Sequence, residues 1–263
     1  MRKQPWLPSN NSATQKSWNR RKHARFPLCL LLFFGLLILS VPASAAAPRP
    51  TPPRHQLDIA FDLQSHRLIG TSRITIPAQT AVTISLANLE IMQFDLDGVT
   101  LQTSEHVVLP SAPHDQHVAI RFHTSYAGNR ADTLNGLIDP SGIALTGFWH
   151  PRLDTDCQYA LTAAIPKHFA AIAEAEEISD TLSGNIRTVR FLFEHPLPGL
   201  NFVAGPYVVE EEPIGPGQTL YSYFFAEDRE LAAGYRKKTI EYLKRYQELV
   251  GPYPYKRFSI VEN

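Results

Sequence analysis

Chemistry in this chain would have to come from its ten histidines, its carboxylates or its two cysteines, and only one histidine pair is closely spaced. His114 and His117 stand in Pro113-His114-Asp115-Gln116-His117. Two imidazoles one helical turn apart, with a nearby carboxylate, can hold a divalent metal and activate its bound water. This pair instead sits in a polar, Pro-flanked turn between apolar runs, where incidental loop histidines are expected. H-E-x-x-H does not occur, nor does G-x-S-x-G, a P-loop or a dinucleotide fingerprint. Acids cluster at Glu174, Glu176 and Glu177 and at Glu210, Glu211 and Glu212, and read as solvated faces. Cys157, in Asp154-Thr155-Asp156-Cys157-Gln158, reads as a small, partly buried residue, with a reactive thiol as the alternative. No residue is assigned a catalytic or metal-binding role, and the substrate-binding residues stay unknown.

The elements that must position these groups begin after a distinct N-terminus. Arg2, Lys3, Lys16, Arg20, Arg21, Lys22 and Arg25 precede an apolar run over 26–41, and Ala43-Ser44-Ala45 follows it. Basic region, apolar region and small-residue site form an export signal over residues 1–45. The run is short for a membrane span of about 20 residues, so a cleaved, periplasmic or secreted product is expected. An uncleaved signal would anchor the chain in the membrane through 26–41. Without those seven cations the chain holds 18 basic and 25 acidic residues. Such an acidic body argues against nucleic acid as a partner. Cleavage also leaves Cys157 alone, so no internal disulfide can form.

Residues 46–53 are a Pro-rich linker. From His55 the pattern alternates: Leu57, Ile59, Phe61 and Leu63 face one way, Asp58 and Asp62 the other. Apolar runs over 68–76, 81–86, 91–96, 99–101, 107–109 and 118–122 continue it, with Asp97-Gly98 as a turn signal. Residues 124–147 read as a long loop. Strands are expected at 159–165, 169–178, 188–193, 207–209 and 219–225. Turn signals every eight to twelve residues give a β-sandwich over 54–213. Its expected core is Leu57, Ile59, Phe61, Ile74, Ile84, Ile120, Phe122, Leu161, Phe191, Phe193 and Val208.

A helix follows over Glu230–Val250. Thr239, Tyr242, Leu243, Tyr246, Leu249 and Val250 form its expected buried face, and Glu241 and Arg245 a favourable i, i+4 pair. Gly251 and Pro252 end it, and Phe258–Val261 opens a buried strand.

That C-terminal string, a Tyr/Leu-rich helix, then G-P-Y-P-Y, a basic pair and F-S-I-V-E, resembles the opening of the catalytic domain of the aminopeptidase N family of zinc metallopeptidases, the gluzincins. Three earlier stretches are similar to the family in order and spacing: the hairpin L-D-I-A-F-D-L…L-I-G-T-S-R-I-T-I, the segment G-F-W-H-P-R-L-D-T-D-C-Q-Y-A-L-T-A-A-I-P, and the strand L-N-F-V-A-G-P-Y-V-V. The resemblance spans about residues 55–263. It implies a mainly β fold: a saddle-like antiparallel β-sandwich over 54–213, then the first strand-helix-strand of a thermolysin-like catalytic domain over 214–263. It implies peptide substrates, and zinc held only in a longer chain by H-E-x-x-H and a distant Glu. The segment from Trp149 to Cys157 lacks the family's Gln at the substrate's amino end, which points to a divergent bacterial branch. Glu262-Asn263 comes too soon after the Y-P turn to be the family's M-E-N. Two functions therefore stand: the N-terminal part of an exported peptidase that is inactive alone, or a free-standing exported β-sandwich that binds a partner.

Overall fold

The computed structural model describes residues 51–126 and 136–262. The export signal over 1–45 and the first part of the linker lie outside the described residues, as do 127–135 of the expected loop and Asn263. Among the described residues no helix is long and apolar enough to cross a membrane.

The fold is mainly β. β1 (Arg54–Asp62) and β2 (Arg67–Ile76) form the first hairpin. β3 (Val82–Ser85), β4 (Glu90–Leu96), β5 (Val99–Thr100), β6 (His106–Leu109) and β7 (Gln116–Ser125) follow. Next come β8 (Leu137–Asp139), β9 (Gly142–Leu145), β10 (Arg152–Leu153), β11 (Cys157–Pro166) and β12 (Ala170–Ala173). β13 (Glu177–Ser183), β14 (Ile186–Leu197) and β15 (Phe202–Gly205) complete the first part of the chain. β16 (Val208–Gly215), β17 (Gln218–Phe224), the helix α1 (Arg229–Val250) and β18 (Arg257–Val261) end it.

The largest sheet runs β13-β14-β11-β1-β2-β7-β4-β5. All its pairings are antiparallel except β1 with β11, which sets His55 beside Tyr159 and Leu57 beside Leu161. Because side chains alternate along a strand, Leu57 and Ile59, Ile74, Ile120 and Phe122, Leu161, and Phe191 all face one side and are buried. Sheets β10-β3-β6 and β12-β15-β9-β8 lie against that side, and Ile84, Leu145 and Phe202 complete the core. Gly70 permits close packing here: a Cβ would meet the Phe122 ring at 2.4 Å. Of the expected core, Phe61 and Val208 are only half-buried.

Three expectations need correction. Part of the loop over 124–147 is regular: β7 runs to Ser125, and β8 and β9 form a hairpin that pairs with β15. Its turn is fixed by Asp139 Oδ1, which accepts from the N–H groups of Ser141 and Gly142. The strand over 169–178 is two strands in two sheets, β12 and β13, separated at Glu174–Glu176. The buried face of α1 is rotated: Ala232, Arg236, Thr239, Ile240, Leu243 and Gln247 are buried or half-buried, whereas Tyr242, Tyr246, Leu249 and Val250 are exposed.

Candidate functional site

Arg236 causes that rotation. Its side chain, 15 % exposed, reaches from α1 to the β16-β17-β18 sheet. It donates to Glu210 (2.5 Å) and to Ser222 Oγ (2.9 Å), and its Nε lies 3.4 Å from Glu212. Arg229 donates to the other Glu210 oxygen at 2.9 Å. These two guanidinium hydrogen bonds hold the Glu210 carboxyl below its usual range. Glu210 and Glu212 are therefore helix anchors rather than a solvated face, since alternate residues of β16 point at the same helix. The expected Glu241–Arg245 pair is replaced by Lys238–Glu241 at 2.8 Å.

Past α1, Gly251 adopts φ 101° and its N–H caps Gln247 O at 3.1 Å. The turn after it is tied by Gln218 Nε2 donating to Tyr253 O (2.6 Å) and by the Tyr253 hydroxyl donating to Arg257 O (2.8 Å). Tyr255 packs on Phe193 and His195 of β14, with ring centroids 5.8 and 5.7 Å apart. The Tyr253–Tyr255 turn thereby closes one wall of a groove of about 430 Å³ whose other walls come from β12, β13, β14, β15 and β18. The groove is mostly apolar, through Ile172, Ile178, Phe193, Leu197, Val203 and Val261. Glu174 is its carboxylate, held by the Asn201 backbone N–H (2.9 Å) and Nδ2 (2.7 Å). Arg257 is its cation, stacked 3.6 Å over the Tyr221 ring. Such walls can hold an apolar side chain between two opposite charges.

The chain's fold is that of M1 zinc metallopeptidases. An M1 zinc metallopeptidase from Deinococcus radiodurans matches with TM-score 0.57 and 13% identity. A point mutant of it bound to a Tyr-Ser-Ala substrate matches with TM-score 0.58 and 14% identity, and the same mutant without that substrate with 0.58 and 17%. Each match covers 80% of this chain and 56% of the neighbour, so this chain spans little more than half their length. No protein-family model matches the chain, and no curated protein does.

Against that fold, the histidines singled out in the sequence lie apart from the groove. His114 is exposed, 3.8 Å from Asp97. His117 stands on β7 rather than in the turn, with Nδ1 3.5 Å from Thr75 Oγ1 and its N–H donating to Asp97. Among the described residues no three or more His, Cys, Asp or Glu side chains converge as metal ligands. The described residues therefore do not fit the zinc of those neighbours. Cys157 is buried, its thiol pushed up to about 12 chiefly by burial, which keeps it protonated and unreactive. Glu262 folds back so that its carboxylate accepts the Phe225 N–H at 2.7 Å. Burial, then the neighbouring Asp228, raises its pKa.

Sequence reading missed Glu174, Asn201 and Arg257 as one group. Glu174 and Arg257 are 83 positions apart, and the docking of the Tyr253–Tyr255 turn joins them. The G-P-Y-P-Y string was the available signal.

Proposed function

We propose that this chain is the N-terminal part of an exported zinc metallopeptidase of a divergent bacterial branch resembling aminopeptidase N. Residues 54–213 would form its saddle domain and 214–263 the opening of a thermolysin-like catalytic domain. Peptides are the substrates of the longer protein, and its zinc is held by residues beyond Asn263. One observation carries the reading: the fold likeness covers 80% of this chain but 56% of its neighbours, and exposed apolar side chains are densest at the C-terminal end. There α1 exposes Tyr235, Tyr242, Tyr246 and Leu249, and β18 pairs with β17 on one side only. An apolar stripe and an unpaired strand edge are what a following domain would cover.

The test extends the chain through the downstream reading frame. The extended protein is expected to bind stoichiometric zinc and release amine from aminoacyl arylamides, while the 263-residue chain does neither. Metal-dependent turnover by the 263-residue chain, abolished by His114→Ala or His117→Ala, would overturn the reading. An extension without a zinc site would instead favour the free-standing binding module. Export is read separately: the mature protein should begin at Ala46, and a product that retains 26–41 and needs detergent for extraction is anchored.

A further inference from the structure

Beneath the large sheet lies a polar cluster that the peptidase reading does not use. His55 faces inward on β1 with Leu57 and Ile59, and both His55 and His150 are 1% exposed. Their ring centroids are 5.6 Å apart, and Tyr159 meets them at 5.1 and 5.7 Å. His55 Nε2 and Ser72 Oγ share a 2.6 Å hydrogen bond, and His55 Nδ1 has no hydrogen-bond partner.

His150 uses both nitrogens. The Leu200 N–H donates to its Nε2 at 3.3 Å, so Nε2 carries no proton. Its Nδ1–H then donates to Pro151 O at 2.8 Å. Trp149 Nε1 donates to Leu200 O at 2.7 Å. Arg152 donates to Pro198 O from Nε and NH2 at 3.1 and 2.8 Å. Residues 149, 150 and 152 thus clasp the segment Pro198–Asn201, and Asn201 holds Glu174 in the groove wall.

A proton on Nε2 would set an N–H against the Leu200 N–H, donor against donor, and make the ring a cation. The groups around it offer no counter-charge. His55 faces it from β1, Ser72 bonds His55 from β2, and Tyr159 and Cys157 come from β11. Arg152 adds a cation from β10. Asp154 and Asp156 act on Cys157 and Tyr159, and among the described residues no carboxylate is hydrogen-bonded to either ring. Burial accordingly holds His150 down to about 4 and His55 well below its ordinary value.

We propose that His150 is an acid-sensitive clasp whose protonation releases Pro198–Asn201 from the sandwich, and with it the Asn201–Glu174 wall of the groove. The release is a property of the fold. It stands apart from the peptidase reading, because its test uses no substrate and no zinc.

Amide exchange of Leu200 in the 263-residue chain, corrected for intrinsic rate, is followed from pH 7 to pH 4.5, beside the ring NMR titration of His150. Leu200 protection is expected to fall roughly a hundredfold, if the His150 ring regains its ordinary 6.5 once the segment has left, against about 4 while it clasps Leu200. The Ile120 amide on β7 should change far less. His150→Gln places an uncharged acceptor near the Nε2 position, and its Leu200 protection should stay flat with pH. Wild-type Leu200 protection that holds to pH 4.5, or a ring that titrates near 6.5 without release, overturns the proposal. So does a His150→Gln protein that loses protection over the same range. If that variant does not fold, the wild-type comparison of ring titration with Leu200 release decides alone.

Discussion

Residues 54–205 bury their largest side chains, leaving scattered exposed ones such as Ile69, Met92, Val108 and Leu182, whereas residues 208–262 gather exposed apolar side chains along one helix. In the first region Trp149, Phe94, Phe122, Phe169, Phe191 and Phe202 are all under 2% exposed. The connected core cluster of the described residues runs from Leu57 to Ala204 and stops there. In the second region Leu220, Tyr223, Phe224 and Ala232 are buried, while Leu231, Tyr235, Tyr242, Tyr246, Leu249 and Val250 of α1 lie 53–83% exposed. The helix is held to its sheet by Arg236 and Arg229 on Glu210 rather than by its aromatic stripe. A sandwich whose alternating strands close on each other supplies its own stability. The three-stranded sheet buries fewer side chains, and its one helix docks through Arg236 and a narrow face of Ala232, Ile240 and Leu243.

The largest effect should come from the closed core. Phe191 is 1% exposed and its ring meets Phe202 edge-on at 6.2 Å. Phe191→Ala is expected to cost ~3–5 kcal/mol by denaturant unfolding. A cost near zero would mean the first region is as loose as the second.

Acid should also act on the first region. His150 has a folded pKa near 4 and an ordinary value of 6.5, so the unfolded chain binds more protons between them. Stability present above pH 6.5 should be lost as pH falls towards 4, by about 3 kcal/mol from this ring, with His55 acting in the same direction. His150→Gln should flatten that slope in a series of urea titrations from pH 7 to pH 4.

In the second region the contrast turns on charge. Arg236→Met removes the bridge to Glu210, Glu212 and Ser222. Amides over 232–240 should exchange faster, while those of β11 stay unchanged. An unaltered helix would show that apolar contact, not Arg236, fixes its face.

The smallest effect is expected on the exposed stripe. Leu249→Ser or Tyr242→Ser should shift the stability of this chain by no more than about 0.5 kcal/mol, and should harm an extended chain more. Equal effects in both would remove the reason to expect a covering domain.

The sandwich was legible because period-two alternation marks a half-buried strand over nine or ten residues, as in β1, β7 and β11. The β8–β9 hairpin was not, since strands of three and four residues beside Ser141 and Gly142 look like loop. The helix limits were legible from Gly251 and Pro252, but its face was not. Two apolar stripes share α1, and only Glu210 on a different strand decides which one docks. His55 carried a local signal, the inward parity of Leu57 and Ile59. Its partner His150 is 95 positions away, and the parallel β1–β11 pairing that sets His55 beside Tyr159, which meets His150, leaves no trace in either segment.

Amide exchange across α1 and β18, measured in the 263-residue chain and in one extended past Asn263, tests the contrast most directly. Residues 229–261 should exchange fast beside β11 in the shorter chain and become protected in the longer one. Protection equal to that of β11 already in the 263-residue chain would contradict it, because the second region would then be complete as it stands.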